Sequence, residues 1–323
     1  MTQEPTAPES LTGIGATALG VALLRAQESS RPDRLFDDPY ARPFLQAVPS
    51  ASTPWAAGPS PATARFLQVM AEQVAVRTQF LDRALLDAAE RGCEQVVLLG
   101  SGMDARAFRL AWPPGTKVFE LDFADVLAFK AAVLDGRGAT AACHRVEVAT
   151  DLRQDWPRAL TESGFSSGRP AAWLAEGILY ALPPDAADLL LDRITTLSAP
   201  ASMLALDHME DSELLRSARA DISAELVDLW RGGPTENLHA WLIRRGWQPA
   251  VTDIAEAAAA CERPIPPAFD PARADAGRGW LATAHRPKPR EEALDVPAIE
   301  IESAPCLNTN CRVRAHRASQ AGF

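Results

Sequence analysis

Short apolar runs, each closed by a glycine or a polar residue, alternate with segments of helical period through the middle of the chain. EQVVLLG (94–100), TKVFELD (116–122), CHRVEVA (143–149), AAWLAEG (171–177) and SMLALDH (202–208) read as strands. Between them SGMDARAFRL (101–110) reads as a turn and helix. FADVLAFKAAVLD (123–135), residues 154–163 and PDAADLLLDRITTLS (184–198) read as helices. Upstream, residues 12–28 and 60–91 are helical, the second because Phe66, Val69, Met70, Val74, Phe80, Leu81, Leu85 and Leu86 recur at helix-like intervals. Downstream, residues 210–230 look helical, 236–247 form a helix ending at Gly246, and a last strand lies near 278–284. Strands alternating with helices at this spacing predict an α/β fold, a doubly wound and mainly parallel sheet with helices on both faces.

The same pattern divides the chain into an N-terminal helical lid or cap (1–91), an α/β core with substrate-side insertions (92–285) and a proline-rich tail (286–323) that wraps the surface or is loose. Residues 1–11 are polar and expected to fray. The segment RPDRLFDDPYARPFLQAVPS (31–50) suits a short lid over a pocket, and its DDPYA turn could equally cap a helix.

Composition narrows the partners. With 32 basic and 42 acidic residues the net charge is −10, which argues against nucleic acid. No apolar run approaches the roughly 18–20 residues of a membrane span, and the N-terminus lacks the basic and apolar pattern of a secretory signal. The five cysteines are odd in number and scattered, so a cytoplasmic chain with reduced thiols is expected. The only lysines are Lys117, Lys130 and Lys288, and no P-loop exists. The histidines (144, 208, 239, 285 and 316) and the pair Cys306 and Cys311 show no metal-ligand spacing, so no metal is expected.

Chemistry collects where the strands end, the place at which open parallel sheets bind ligands. Strand one runs into Gly100-Ser101-Gly102-Met103-Asp104-Ala105-Arg106. The glycines allow a tight turn and close backbone approach before a helix N-terminus, although a plain strand-to-helix turn uses them too. Ala105 stands where a dinucleotide fingerprint has its third glycine, which argues against a pyrophosphate. Asp122 ends strand two, where an acid can accept from both ribose hydroxyls; this spacing does not separate NAD from S-adenosylmethionine. Asp151-Leu152 after strand three suits an adenine edge or an ordinary helix cap. Glu176-Gly177 ends strand four as a ligand or a salt-bridged acid. Four such groups on consecutive strand ends point to one nucleoside-type ligand.

The stretches TALGVALLRAQESSRPDRLFDDPYA (17–41), VAVRTQFLD (74–82), VVLLGSGMDARAFRL (96–110), VFELDFADVLAFK (118–130), ATDLRQDW (149–156) and AWLAEGILYALPP (172–184) occur in order. Together they resemble the S-adenosylmethionine-dependent methyltransferases of the leucine carboxyl methyltransferase type, especially the actinobacterial branch. The resemblance implies a class I, Rossmann-like methyltransferase fold with S-adenosylmethionine as cofactor. It implies that Arg77 and Gly100 hold the methionine carboxylate region and that Ser101 and Gly102 belong to the same turn. Asp122 would take the ribose, Asp151 and Leu152 the adenine, and Glu176 the methionine amino group. Arg25 matches a basic residue near the cofactor.

The expected activity is O-methylation of a carboxylate on a small molecule or peptide terminus. A carboxylate is already ionised and needs no general base, so the lack of a Ser/His/Asp or Cys/His set is consistent. The alternatives are methylation of a hydroxyl on a secondary metabolite, a non-catalytic nucleoside-binding protein, and a dinucleotide-dependent oxidoreductase, which lacks its third glycine and its proton donor. Two departures stand out: Ala181 occupies the position at which the family often has a tyrosine, one after Tyr180, and residues 286–323 extend beyond the family's length. No catalytic residue is assigned by pattern. Tyr180 and His208 are the candidates, with a structural role for His208 favoured over acceptor contact. Trp156 and Trp173 read as core anchors.

Overall fold

The computed structural model describes residues 14–48, 60–220 and 230–288. The frayed N-terminus expected for 1–11, the tail from 289 onward with Cys306, Cys311 and His316, and part of the helix expected over 210–230 lie outside the described residues.

Seven strands form one sheet: β1 (Gln95–Leu99), β2 (Lys117–Asp122), β3 (His144–Ala149), β4 (Ala171–Ala175), β5 (Met203–Met209), β6 (Gln248–Asp253) and β7 (Gly279–His285). Their spatial order is β3-β2-β1-β4-β5-β7-β6, with β1 to β5 parallel and β7 antiparallel to both neighbours. The chain winds outward from β1 to β3, then returns to place β4 on the other side of β1. The switch point therefore lies between β1 and β4.

Strand pleating fixes the two cores. Val97, Leu99, Phe119, Leu121, Trp173 and Leu204 point to one face, which is covered by α6 (Trp156–Glu162), α7 (Pro184–Thr196) and α9 (Leu238–Arg244). Val96, Leu98, Val118 and Leu174 point to the other, against Leu81 and Leu85 of α3 (Pro61–Glu90). Central strands buried on both faces explain why these segments read as unbroken apolar runs.

Helix α3 starts where the Ser60 side chain accepts from Thr63 N at 3.1 Å and Pro61 takes the first helical position. It packs on β4 and β5, while α1 (Ile14–Ser29) and α2 (Ala41–Gln46) pack on each other and α1 on α3. The α5 helix (Ala124–Asp135) follows β2, α8 (Glu213–Ala220) follows β5, and α10 (Ile254–Ala260) precedes β7. Among the described residues no helix is long and apolar enough to cross a membrane.

Two differences from the sequence expectations have physical causes. The turn-and-helix expected over 101–110 holds only one helical turn, α4 (Arg106–Arg109), because the glycine turn takes up the first half. β6 carried no strand signal: it is the sheet edge, half exposed, with Pro249 inside it, a position that edge strands tolerate.

Trp173 is fully buried at the centre of the sheet, with its ring 5.3 Å from Phe165 and 6.2 Å from Trp156. Trp173→Ala is expected to lower unfolding free energy by about 3–5 kcal/mol, read from the urea midpoint. Leu189→Ala, at a site 49% exposed, is expected to move it by less than about 0.5 kcal/mol.

Candidate functional site

Glu176 ends β4 as the meeting point of three guanidiniums. Its Oε1 lies 2.8 Å from Arg25 Nη2 and 3.0 Å from Arg77 Nε, and its Oε2 lies 2.6 Å from Arg106 Nη1. The arginines come from α1, α3 and the start of α4, so residues far apart in sequence converge on one carboxylate. Burial works to raise the Glu176 pKa, but Arg106, Arg25 and Arg77 outweigh it and hold the group well below its usual range.

The cluster extends in both directions. Arg77 Nη1 reaches Asp207 Oδ2 at 3.1 Å, and Asp207 Oδ1 accepts from Gly177 N at 2.6 Å. Burial leaves Asp207 with a raised pKa despite these partners. Arg106 also pairs with Asp104 and, through Nε at 2.6 Å, with Asp82 Oδ1. Arg109 grips both oxygens of Asp82 at 2.6 and 2.8 Å.

Gly100 (φ +60°) and Gly102 (φ +42°) shape the turn after β1. A Cβ on Gly100 would meet Ile178 Cδ1 at 3.5 Å and Leu152 Cδ1 at 3.8 Å, so side chains following β3 and β4 close over the end of β1. A Cβ on Gly102 would stand 3.1 Å from Ala18 Cβ, which places α1 directly against the turn. Asp122 bonds this turn, its Oδ2 accepting from Gly102 N at 2.6 Å and its Oδ1 from Phe123 N at 2.8 Å. Burial raises its pKa against those two bonds. Two of its lone-pair positions are left for other donors. Beneath it, Lys130 and Arg145 hold buried Glu120 at 3.0 and 2.7 Å.

The structure thus brings Arg25, Arg77 and Glu176 into direct contact, joins Gly102 to Asp122, and sets Gly100 against Leu152. Asp151, the neighbour of Leu152, has its carboxylate held by the exposed Arg153 at 2.7 Å, which lowers its pKa. Such a surface pair contributes little and exchanges readily.

Tyr180 sits in a single 3-10 turn (Leu179–Ala181), with its hydroxyl beside Gly177 and Arg77, and burial pushes its pKa up to about 12. His208 is buried in β5 against Gly233 and Trp280; its Nδ1 has no partner, and desolvation pushes its pKa down to about 4.

These residues fit the zwitterionic end of S-adenosylmethionine in charge. Arg25 Nε and Arg106 Nη2, both on guanidiniums paired with Glu176, are buried without hydrogen-bond partners, as is Ser101 Oγ in the glycine turn, and a ligand carboxylate would supply missing acceptors. Sequence reasoning gave no role to Asp82, Asp104, Arg106, Arg109 or Asp207. The available signal was charge inside otherwise buried segments, as in DAR after the glycine turn and the Asp within LALDHM.

The family model for leucine carboxyl methyltransferase matches residues 18–195. A Frankia alni protein named as an S-adenosyl-L-methionine-dependent methyltransferase is 46% identical over 256 residues, spanning 79% of this chain and 90% of that protein. A Mycobacterium bovis protein of the same name is 40% identical over 291 residues, spanning 83% and 94%. Among solved structures, a DUF574-family protein from Streptomyces avermitilis aligns with TM-score 0.53 at 14% identity, over 84% of this chain and 97% of that one. A protein titled as a methyltransferase from Thermobifida fusca aligns with TM-score 0.52 at 18% identity, over 87% and 98%. Those two share the fold. Motifs, sheet order and relatives agree, and the chain belongs to the leucine carboxyl methyltransferase family of S-adenosylmethionine-dependent methyltransferases.

Proposed function

We propose that this methyltransferase esterifies a carboxylate on a small molecule or a peptide terminus. The observation that carries this reading is the chemistry of the two candidate proton acceptors near the strand ends. Tyr180 keeps its proton up to about pH 12, and His208, at about 4, has too little proton affinity to draw a proton from a hydroxyl acceptor. A carboxylate acceptor, ionised above pH ~4, asks nothing of either.

In this reading Arg77, with Arg25 and Arg106, holds the methionine carboxylate, and Asp122 accepts from the ribose. Gly100, Ser101 and Gly102 let the backbone approach. Leu152 and Ile178 cover the adenine, with Asp151 exchanging Arg153 for the exocyclic amine. Glu176 takes the ammonium in exchange for one of the guanidiniums now paired with it. Arg25 is the natural one to move, because it rides on α1, which packs on α2 and α3 rather than within the sheet.

S-adenosylmethionine held there would supply an electrophilic methyl group with a neutral thioether as leaving group. The chain's part is to align the methyl group with the acceptor oxygen and exclude water.

The test is transfer of labelled methyl groups into a metabolite extract followed by mild alkali. Release of labelled methanol is the expected result; an alkali-stable label, or no transfer, would sink the reading. With an acceptor in hand, kcat/KM is expected to stay flat between about pH 6 and 9, because His208 is neutral throughout and Tyr180 protonated. A rise through that window would reveal a base. Asp122→Ala is expected to weaken S-adenosylhomocysteine binding about tenfold or more by calorimetry, with little change in Tm. Unchanged affinity would remove Asp122 from the ribose.

A further inference from the structure

Arg219, in the last turn of α8, is fully buried yet short of acceptors. Its Nη2 donates to Asp211 Oδ1 at 2.5 Å, while Nε and Nη1 have no hydrogen-bond partner. Asp211 is itself divided, its Oδ2 lying 3.1 Å from Arg216 Nε. Among the described residues, one carboxylate therefore serves two guanidiniums. Desolvation outweighs the Asp211 pair and pushes the Arg219 pKa down, whereas Arg77, Arg106 and Arg109, with carboxylates on several sides, are pushed up. Buried cations are ordinarily paired. This one is under-compensated.

Its position ties it to the reaction site. Arg219 Cζ lies 3.9 Å from the Trp230 ring centre, and Trp230 stacks on Tyr180 with centroids 4.5 Å apart and planes 16° from parallel. Backbone bonds hold that stack in place: Arg231 N and Gly232 N donate to Tyr180 O at 2.8 and 3.2 Å, and Gly233 N donates to Leu182 O at 2.9 Å. Trp230 Nε1 is also buried without a partner. Three unmet donors thus gather around one indole, next to the tyrosine that borders Arg77.

We infer that Arg219 anchors a second, non-reacting carboxylate of the methyl acceptor, so that the preferred substrates are diacids. The inference rests on the carboxyl-methylation reading above. The reacting carboxylate is a different one, because a guanidinium on the attacking oxygen would draw down the lone pair it needs, and the Trp230 ring lies between Arg219 and Tyr180. The methyl group passes to the far carboxylate, the Arg219-bound one keeps its charge, and no proton changes hands.

Calorimetric titration of the S-adenosylhomocysteine-loaded protein with matched acids (hexanoate and adipate, benzoate and isophthalate) tests this. Diacids are expected to bind about tenfold or more tightly than their monoacid partners. Arg219→Gln should erase that preference while leaving S-adenosylhomocysteine affinity intact, and Arg219→Lys, which keeps the charge, should restore part of it. The lysine variant also serves where the glutamine variant fails to fold, since a lysine protein with no residual preference for diacids counts against the anchor. Equal binding of mono- and diacids by the wild-type protein, or a preference that survives in Arg219→Gln, overturns the inference. Alkali lability of the methylated product tests the reading beneath it, so the two fail separately.

Discussion

Glu176 is a carboxylate taken out of water, and the surrounding structure answers to that fact. Burying such a charge costs several kcal/mol after relaxation, and the chain offsets it with guanidiniums drawn from α1, α3 and the start of α4. Two of them are compensated in turn, Arg77 by Asp207 and Arg106 by Asp82 and Asp104. The result is a closed set of charges spanning α1, α3, the glycine turn and the ends of β4 and β5. Removing one member strands another, at about 3–5 kcal/mol for a buried pair. The set therefore fixes positions more than it adds stability, since apolar residues of the same volume could fill the space at no greater cost.

That closure bears on binding. A ligand with both a carboxylate and an ammonium can replace a protein cation on Glu176 and at the same time give the released guanidinium a new anion. The exchange keeps every buried charge paired, which a ligand with only one of the two groups does not. On the proposed reading, selectivity for an amino-acid end follows from charge balance rather than from shape alone. It also links the placement of α1 to ligand binding, because Arg25 and the Ala18–Gly102 contact sit on the same helix.

The parallel strands and the switch point were legible because buried strands have to be written as unbroken apolar runs ending in turn residues. Gly100, Asp122 and Glu176 stood out as candidates because a turn glycine and two acids close such apolar runs, although each position has a structural use as well. Arg25 was placed by its motif, and it meets Glu176. What stayed hidden depends on distance in three dimensions. Nothing in the order of residues says that Asp82 on α3 would hold both Arg106 and Arg109, or that Arg106, in a motif full of small residues, would be fully buried. β6 stayed hidden because an exposed edge with a proline carries neither strand nor helix period. Asp151 shows the opposite failing: its place after β3 was readable, but its pairing with Arg153 two residues on was not weighed.

The uneven legibility of the two halves has a chemical origin. Every member that uses the same methyl donor must present the same few groups to it, so the donor side is written in short motifs on consecutive strand ends. An in-line displacement by an ionised acceptor needs no acid–base residues, so the acceptor side has no comparable signature. On the proposed reading its determinants are contacts such as Arg219 on Trp230 on Tyr180, built from residues on α8, the segment before α9 and the turn after β4. Those contacts arise from packing between segments that have no fixed spacing, and each could be replaced by another cation or another ring without disturbing the sheet. Acceptor choice is therefore the property that this fold can change at least cost, and the one that has to be sought in the geometry.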